Sequence, residues 1–186
     1  MILPIYGYGF SVLKKVCEPI NKDYPQLDQL IENMWETMYS ASGVGLAAPQ
    51  IGEDIRLFIV DTKQLNEDEH SDEGIKKVFI NAQIVAEAGE EWAYEEGCLS
   101  IPFIRADVFR QPEITIEYYD EHFEKHVESL SGIDARVVQH EYDHIDGVLF
   151  VDHLTPLKKR MLKRKLEAIR KGNIDPEYRM KYATSK

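Results

Sequence analysis

The sequence predicts an α+β fold: antiparallel strands packed around a central helix that carries a metal-binding motif, with a further helix at the C-terminus. Three observations predict it. Apolar residues recur with helical spacing near 26–40, 131–145 and 156–171. Short β-branched and aromatic runs, punctuated by turn residues, lie between the first two of these stretches. The second helical stretch contains His140-Glu141-Tyr142-Asp143-His144, in which histidines four apart share one helix face.

Each element has its own signals. The first helix sets Leu27, Leu30, Ile31, Met34, Trp35 and Met38 on one apolar face, with Asp23 and Pro25 as start signals. That face reads as core. Gly43-Val44-Gly45-Leu46-Ala47-Ala48-Pro49-Gln50 is too rich in glycine, with a proline, to be an ordinary element interior. Leu57-Phe58-Ile59-Val60 reads as a short buried strand, and 63–76 as an acidic surface loop in which His70 is solvated. Val78-Phe79-Ile80 and Ile84-Val85 supply more strand, and Glu96-Gly97-Cys98-Leu99-Ser100 a tight, exposed turn. Residues 114–119 and 123–128 flank Asp120-Glu121-His122 as an antiparallel hairpin, with His122 and His126 as surface residues lacking metal-like company.

From Ser131 the period becomes helical. Ser131 and Asp134 resemble a capping box and Gly147 can supply a left-handed C-cap, so the motif histidines fall near the end of a helix of about four turns. Val148-Leu149-Phe150-Val151 reads as a strand, and His153 as a cap or solvated residue after it. Thr155 as N-cap and Pro156 at the first position open the last helix, where Leu157, Met161, Leu162, Leu166 and Ile169 form a docking stripe.

Composition bounds the function. At 186 residues, 44% apolar and 30% charged, the chain is expected to form one soluble domain over 1–186, with a basic helix at 156–171 and a tail at 172–186. No apolar run approaches the roughly 20 residues of a membrane-spanning helix. The N-terminus lacks a signal-peptide pattern, so a cytoplasmic location is expected. Two cysteines, Cys17 and Cys98, make no disulfide framework, and a reducing compartment leaves Cys98 free to bind a metal. The net charge of −11 argues against general DNA or RNA binding. Its distribution is uneven: residues 158–171 hold eight bases and one acid, net +7, leaving −18 on the rest. That stretch is either a solvated helix face or a docking element for an anionic partner such as RNA.

The H-E-x-x-H spacing lets His140 and His144 reach one metal ion while Glu141, between them, handles a proton without taking a ligand position. Such a site needs a third ligand, and Cys98, about forty residues upstream, is the candidate. Taken singly, these features have plain readings: two surface histidines, an inert cysteine, a Gly-rich turn.

Three segments, Gly43-Val44-Gly45-Leu46-Ala47-Ala48-Pro49-Gln50, Glu96-Gly97-Cys98-Leu99-Ser100 and Gln139-His140-Glu141-Tyr142-Asp143-His144, together resemble, in order and spacing, the signature motifs of the peptide deformylases. The resemblance spans about residues 1–170. It implies that Cys98, His140 and His144 hold one divalent metal, with Fe2+ the usual ion and Zn2+ or Ni2+ able to replace it. It implies Glu141 as general base and acid, and Gln50 and the backbone N–H of Leu99 as donors to the formyl oxygen. Val44, Glu96, Ile133 and Val137 are implied to border a methionine pocket, and Gly45 to leave room for the substrate backbone. The implied reaction removes the N-formyl group from N-formylmethionine on nascent polypeptides, releasing formate, and the basic C-terminal helix is the implied ribosome contact.

Gln139, Asp143 and Arg105 are the expected residues behind the ligands. Phe103 stands where many relatives have glycine and is expected to close over the cleft or face the ligand. Two other classes stay open at the level of sequence: a metallopeptidase cutting internal bonds, and a structural metal-binding module with a closed site.

Overall fold

The computed structural model of the chain describes residues 1–66 and 73–184. In chain order its first elements are β1 (Ile5–Tyr6), α1 (Leu27–Ser40), β2 (Gly45–Ala47), β3 (Leu57–Asp61), β4 (Lys76–Ala88) and β5 (Trp92–Cys98). They are followed by β6 (Ile101–Arg110), β7 (Glu113–Tyr119), β8 (Lys125–Ser131), α2 (Gly132–Ile145), α3 (Pro156–Arg170) and β9 (Met180–Lys181). Among the described residues there is one five-stranded antiparallel sheet of order β2-β3-β4-β7-β8, a hairpin of β5 and β6, and a parallel pair of β1 and β9. Helices with mostly antiparallel sheets are the α+β class the sequence predicts.

Strand β3 shows why the layers stack as they do. All five of its residues are buried. With a side-chain period of two, Leu57 and Ile59 face one way and Phe58 and Val60 the other. Leu57 and Ile59 join the apolar face of α1 (Leu27, Ile31, Met34, Met38), whereas Phe58 and Val60 join Ala135, Val138 and Ile145 of α2. The sheet is therefore covered on both faces, and α2 packs against β2, β3, β7 and β8. A third cluster unites Ile101, Ile104 and Val108 of β6 with Phe150, Leu154 and the α3 residues Leu166 and Ile169.

Several local expectations change. Helix α1 starts at Gln26 in the left-handed region (φ 55°), with no side-chain cap from Asp23. Ser131 precedes α2 but makes no side-chain cap bond, and Asp134 instead accepts the hydroxyl of Thr62. Residues 148–151 are not a strand: Asp152 accepts the Leu149 N–H (2.8 Å), and this local bond closes a 3-10 turn over Phe150–His153. Of the α3 stripe, Leu166 and Ile169 are buried and Leu162 packs beside them, but Leu157 and Met161 are 68% and 74% exposed. The two short runs at 78–80 and 84–85 are parts of the single strand β4. His126 has company: it lies with Asp120 and Glu124 at the hairpin turn and bonds Asp120 at 2.6 Å. The expectations for His70 and for 67–72 of the acidic loop fall outside the described residues.

Candidate active site

Three elements converge on one cleft. Helix α2 supplies His140, Glu141 and His144. It stops as the sequence predicts: Gly147 takes φ +72°, its N–H bonds the His144 carbonyl (3.3 Å), and the Val148 N–H bonds the Asp143 carbonyl (2.9 Å). Strand β5 ends at Cys98, where the register with β6 shifts at Gly97. The turn here is tight but not fully exposed, since Ser100 is buried and Cys98 half-buried. Gln50 lies in the short 3-10 turn after β2.

The atoms meet as the motifs imply. One donor atom each from Cys98, His140 and His144 lies within 4.8 Å of the others, and Cys98 Sγ is 3.3 Å from His144 Nε2. Gln50 is locked by its own amide: its Oε1 accepts the Ala47 N–H (2.8 Å), while Nε2 donates to Ser100 Oγ (3.2 Å) and Cys98 Sγ (3.4 Å). Glu141 is buried, and its Oε2 has no hydrogen-bond partner among the described residues. Burial, with Glu96 and Asp143 nearby and despite His140, pushes its pKa up to about 7.

Behind the ligands lies a buried ionic cluster. Glu96 takes a two-pronged contact from Arg110 (2.7 and 3.1 Å), one from Arg136 (3.1 Å), and one from His140 Nδ1 (2.8 Å). Burial alone would raise the Glu96 pKa, but bonds from His140 and Arg110 outweigh it and hold the carboxyl well below its usual range. Burial would lower the pKa of His140, but bonds to Cys98 and Glu96 outweigh it and raise it well above the usual imidazole range; the ionised Glu96 fixes Nδ1 as a donor, so a cation that displaces the Nε2 proton would take that lone pair. Burial, with His140 and Arg110 nearby, lowers the pKa of His144, so its imidazole is neutral as a ligand must be. A thiolate and two imidazoles suit a borderline divalent cation, so the residues fit the implied metal.

A cleft of about 480 Å³ adjoins these groups, lined in part by Val44, Gly45, Gln50, Glu96, Cys98, Leu99, Val137, His140 and Glu141. His144 lies behind it, almost inaccessible. Ile133 is half-buried and is not among the lining residues. Gly45 also packs against the catalytic candidate: a Cβ there would lie 2.7 Å from both Cγ and Cδ of Glu141. Phe103 sits at the rim, 68% exposed, in the left-handed region (φ 64°).

Two of the three expected supporting residues are elsewhere. Arg105 pairs with Glu95 in solvent, and Gln139 bonds the carbonyls of Gln111 and Ala135. Asp143 does support the cluster, through Arg110 (2.9 Å), and also holds His153 (2.7 Å). Arg110 and Arg136 went unread. Arg136 was findable, since it stands four residues before His140 on the same helix face; Arg110 carries no such signal.

Fold and cleft together match one class: small α+β proteins in which one thiolate and two imidazoles are placed so that they could hold a metal ion. Residues 2–160 match the family model for polypeptide deformylase. Peptide deformylases of Christiangramia forsetii and Flavobacterium psychrophilum are each 58% identical to the chain, covering all of it and 98% and 100% of those proteins. A solved peptide deformylase from Legionella pneumophila superposes with a TM-score of 0.79 at 37% identity, covering 90% of this chain and 94% of that one. The chain belongs to the peptide deformylase family.

Proposed function

We propose that Cys98, His140 and His144 hold one ferrous ion, and that Glu141, Gln50 and the Leu99 N–H carry out the hydrolysis beside it. The reaction is that of the family: the chain is a metal-dependent enzyme that removes the N-formyl group from N-formylmethionine at the start of nascent polypeptides, releasing formate. The observation that carries the assignment of residues is the buried, unpaired Glu141 Oε2 in the same cleft as the three donor atoms.

When bound, the cation supplies Lewis acidity, which polarises the formyl carbonyl and lowers the pKa of water. The protein does the rest. Glu141, with a pKa raised to about 7, is suited both to accept a proton from the attacking water and to return it to the departing amine. The Gln50 amide, anchored through Oε1, would release its long bond to Cys98 Sγ to donate to the oxygen on which negative charge develops, and the Leu99 N–H would be the second donor. Val44 and Val137 give the cleft an apolar wall for the methionine side chain, beside Glu96, whose carboxylate is turned into the ionic cluster. Ile133, four residues before Val137 on α2, is proposed to extend that wall. The three core clusters share walls around this cleft, which favours a single catalytic domain over 1–186.

Iron is favoured by the family resemblance; zinc or nickel can take the same donors. Metal content and formate release, measured side by side on anaerobically isolated protein, test the roles. Wild type is expected to carry about one iron per chain. Cys98→Ala should lose metal and activity together, whereas Gln50→Ala should keep metal and lose roughly 10²–10³ in kcat. Zinc in place of iron would overturn the choice of metal, and metal retained by Cys98→Ala would overturn the ligand set.

The ribosome is the proposed partner of α3, and the cytoplasm the proposed compartment. No helix among the described residues is long and apolar enough to cross a membrane. On α3 the exposed Leu157 and Met161 stand among Lys158, Lys159, Arg160, Lys163 and Arg164, all exposed, so the outer face combines charge with apolar contact area. Replacing Lys158, Lys159 and Lys163 by Glu should weaken ribosome binding and flatten its dependence on salt. Unchanged affinity and salt slope would contradict the assignment.

A further inference from the structure

The family match ends at residue 160, yet the chain beyond it returns to the active site. Helix α3 ends in the same way as α2: the Gly172 N–H bonds the Ile169 carbonyl (3.0 Å), the Asn173 N–H bonds the Ala168 carbonyl (2.9 Å), and Gly172 takes φ +70°. The reversed chain runs back to pair with β1, through Ile5 N–H to the Arg179 carbonyl (2.9 Å) and Gly7 N–H to the Lys181 carbonyl (3.0 Å). Between these features the half-buried Tyr178 donates its hydroxyl to the Leu99 carbonyl at 2.7 Å. From the paired β1 side, the Tyr8 N–H donates to the next carbonyl, Ser100, at 2.8 Å.

Leu99 and Ser100 are the two residues of the turn between Cys98 and Ile101. Both of their carbonyls are thus gripped, by two terminal segments that are themselves joined. The peptide unit that carries the Leu99 N–H is adjacent to the one Tyr178 holds, and Cys98 is the residue before it. We infer that Tyr178 is a positioning residue: its hydroxyl fixes this turn so that the Cys98 sulfur and the Leu99 N–H keep their aim. The inference rests on the proposed roles of Cys98 and Leu99. It extends the working site to a segment outside the family model, one that a two-residue turn needs because its carbonyls have no sheet partners of their own.

Tyr178→Phe removes the hydroxyl and keeps the ring. The experiment compares full-length variant and wild type, each loaded with Fe(II) for kinetics on formyl-Met-Ala-Ser and with Co(II) for absorption. The expected result is a kcat lower by about tenfold with KM little changed, as for groups that act by orientation. The thiolate-to-cobalt charge-transfer band should shift as well, with melting temperature within about 4 °C of wild type. Unchanged kcat and an unchanged band would overturn the role, as would a lower melting temperature alone, which is what a merely structural tyrosine gives. Absence of the band in wild type is a distinct failure: it would remove Cys98 as a ligand, and the inference with it.

Discussion

Gly45 shows how closely Glu141, the proposed proton carrier, is fitted. The space a side chain would need there is filled by Glu141, with Cγ and Cδ each 2.7 Å from the position of a Cβ, closer than real Cβ contacts come. Gly45→Ala must therefore displace Glu141 or the strand, and a displacement near 1 Å at a catalytic group costs about 10² in rate. Steady-state kinetics on formyl-Met-Ala-Ser should show that loss mainly in kcat, with metal content retained; a variant with wild-type kcat would show that Glu141 need not sit where the structure has it. Glu96 teaches a related lesson at the same scale. Its resemblance-based reading as a pocket residue is consistent with its place on the cleft wall, but its carboxylate is spent on His140, Arg110 and Arg136. The motif Glu96-Gly97-Cys98 names the residue and not its partners, because Arg110 comes from the far end of the facing strand β6 and Arg136 from α2.

Among the elements, the hairpin of β7 and β8 carries a testable charge. Glu128 accepts from Lys77 (2.6 and 2.7 Å) and from the hydroxyl of Tyr118. Burial would raise its pKa, but the bonds from Lys77 and Tyr118 prevail and hold it below the ordinary 4.5. A carboxyl depressed on folding stabilises fully above its ordinary pKa, and that stability is lost as pH falls through the depressed value. Glu128→Gln should therefore melt about 2–4 °C below wild type at pH 7, for a partly exposed pair contributing about 1 kcal/mol, with the gap narrowing as pH falls below the ordinary carboxylate range. A gap that stays constant down to the acid limit of folding would assign the effect to packing.

Elements with strong local signals were legible: α1 and α2 from apolar spacing, the β7–β8 hairpin from its turn, the ends of α2 and α3 from Gly147, Thr155 and Pro156. Strands β5 and β6 were read only at their shared turn, since Trp92-Ala93-Tyr94-Glu95-Glu96 has too many exposed and charged positions to alternate cleanly. Residues 148–151 look like a strand by composition, and Asp152 overrides that locally.

At the scale of the whole molecule, charge and topology divide the labour. The +7 stretch over 158–171, most of it on α3, lies on a chain otherwise at −18, so the proposed anionic partner would meet one region. The joined termini brace the turn behind Cys98, an arrangement invisible in sequence because it depends on a parallel pairing of β1 with β9 across nearly the full chain length. The convergence of Cys98, His140, Glu141 and His144, by contrast, is legible in the sequence, because helical spacing and motif company encode that placement directly.

The most direct test of that geometry is formate release from formyl-Met-Ala-Ser by anaerobically purified, metal-loaded protein, measured beside Glu141→Ala with the metal content of both. Wild type should release formate, and the variant should bind metal yet be slower by at least about 10²–10⁴. Formate release by Glu141→Ala at the wild-type rate, or none from metal-loaded wild type, would contradict the account.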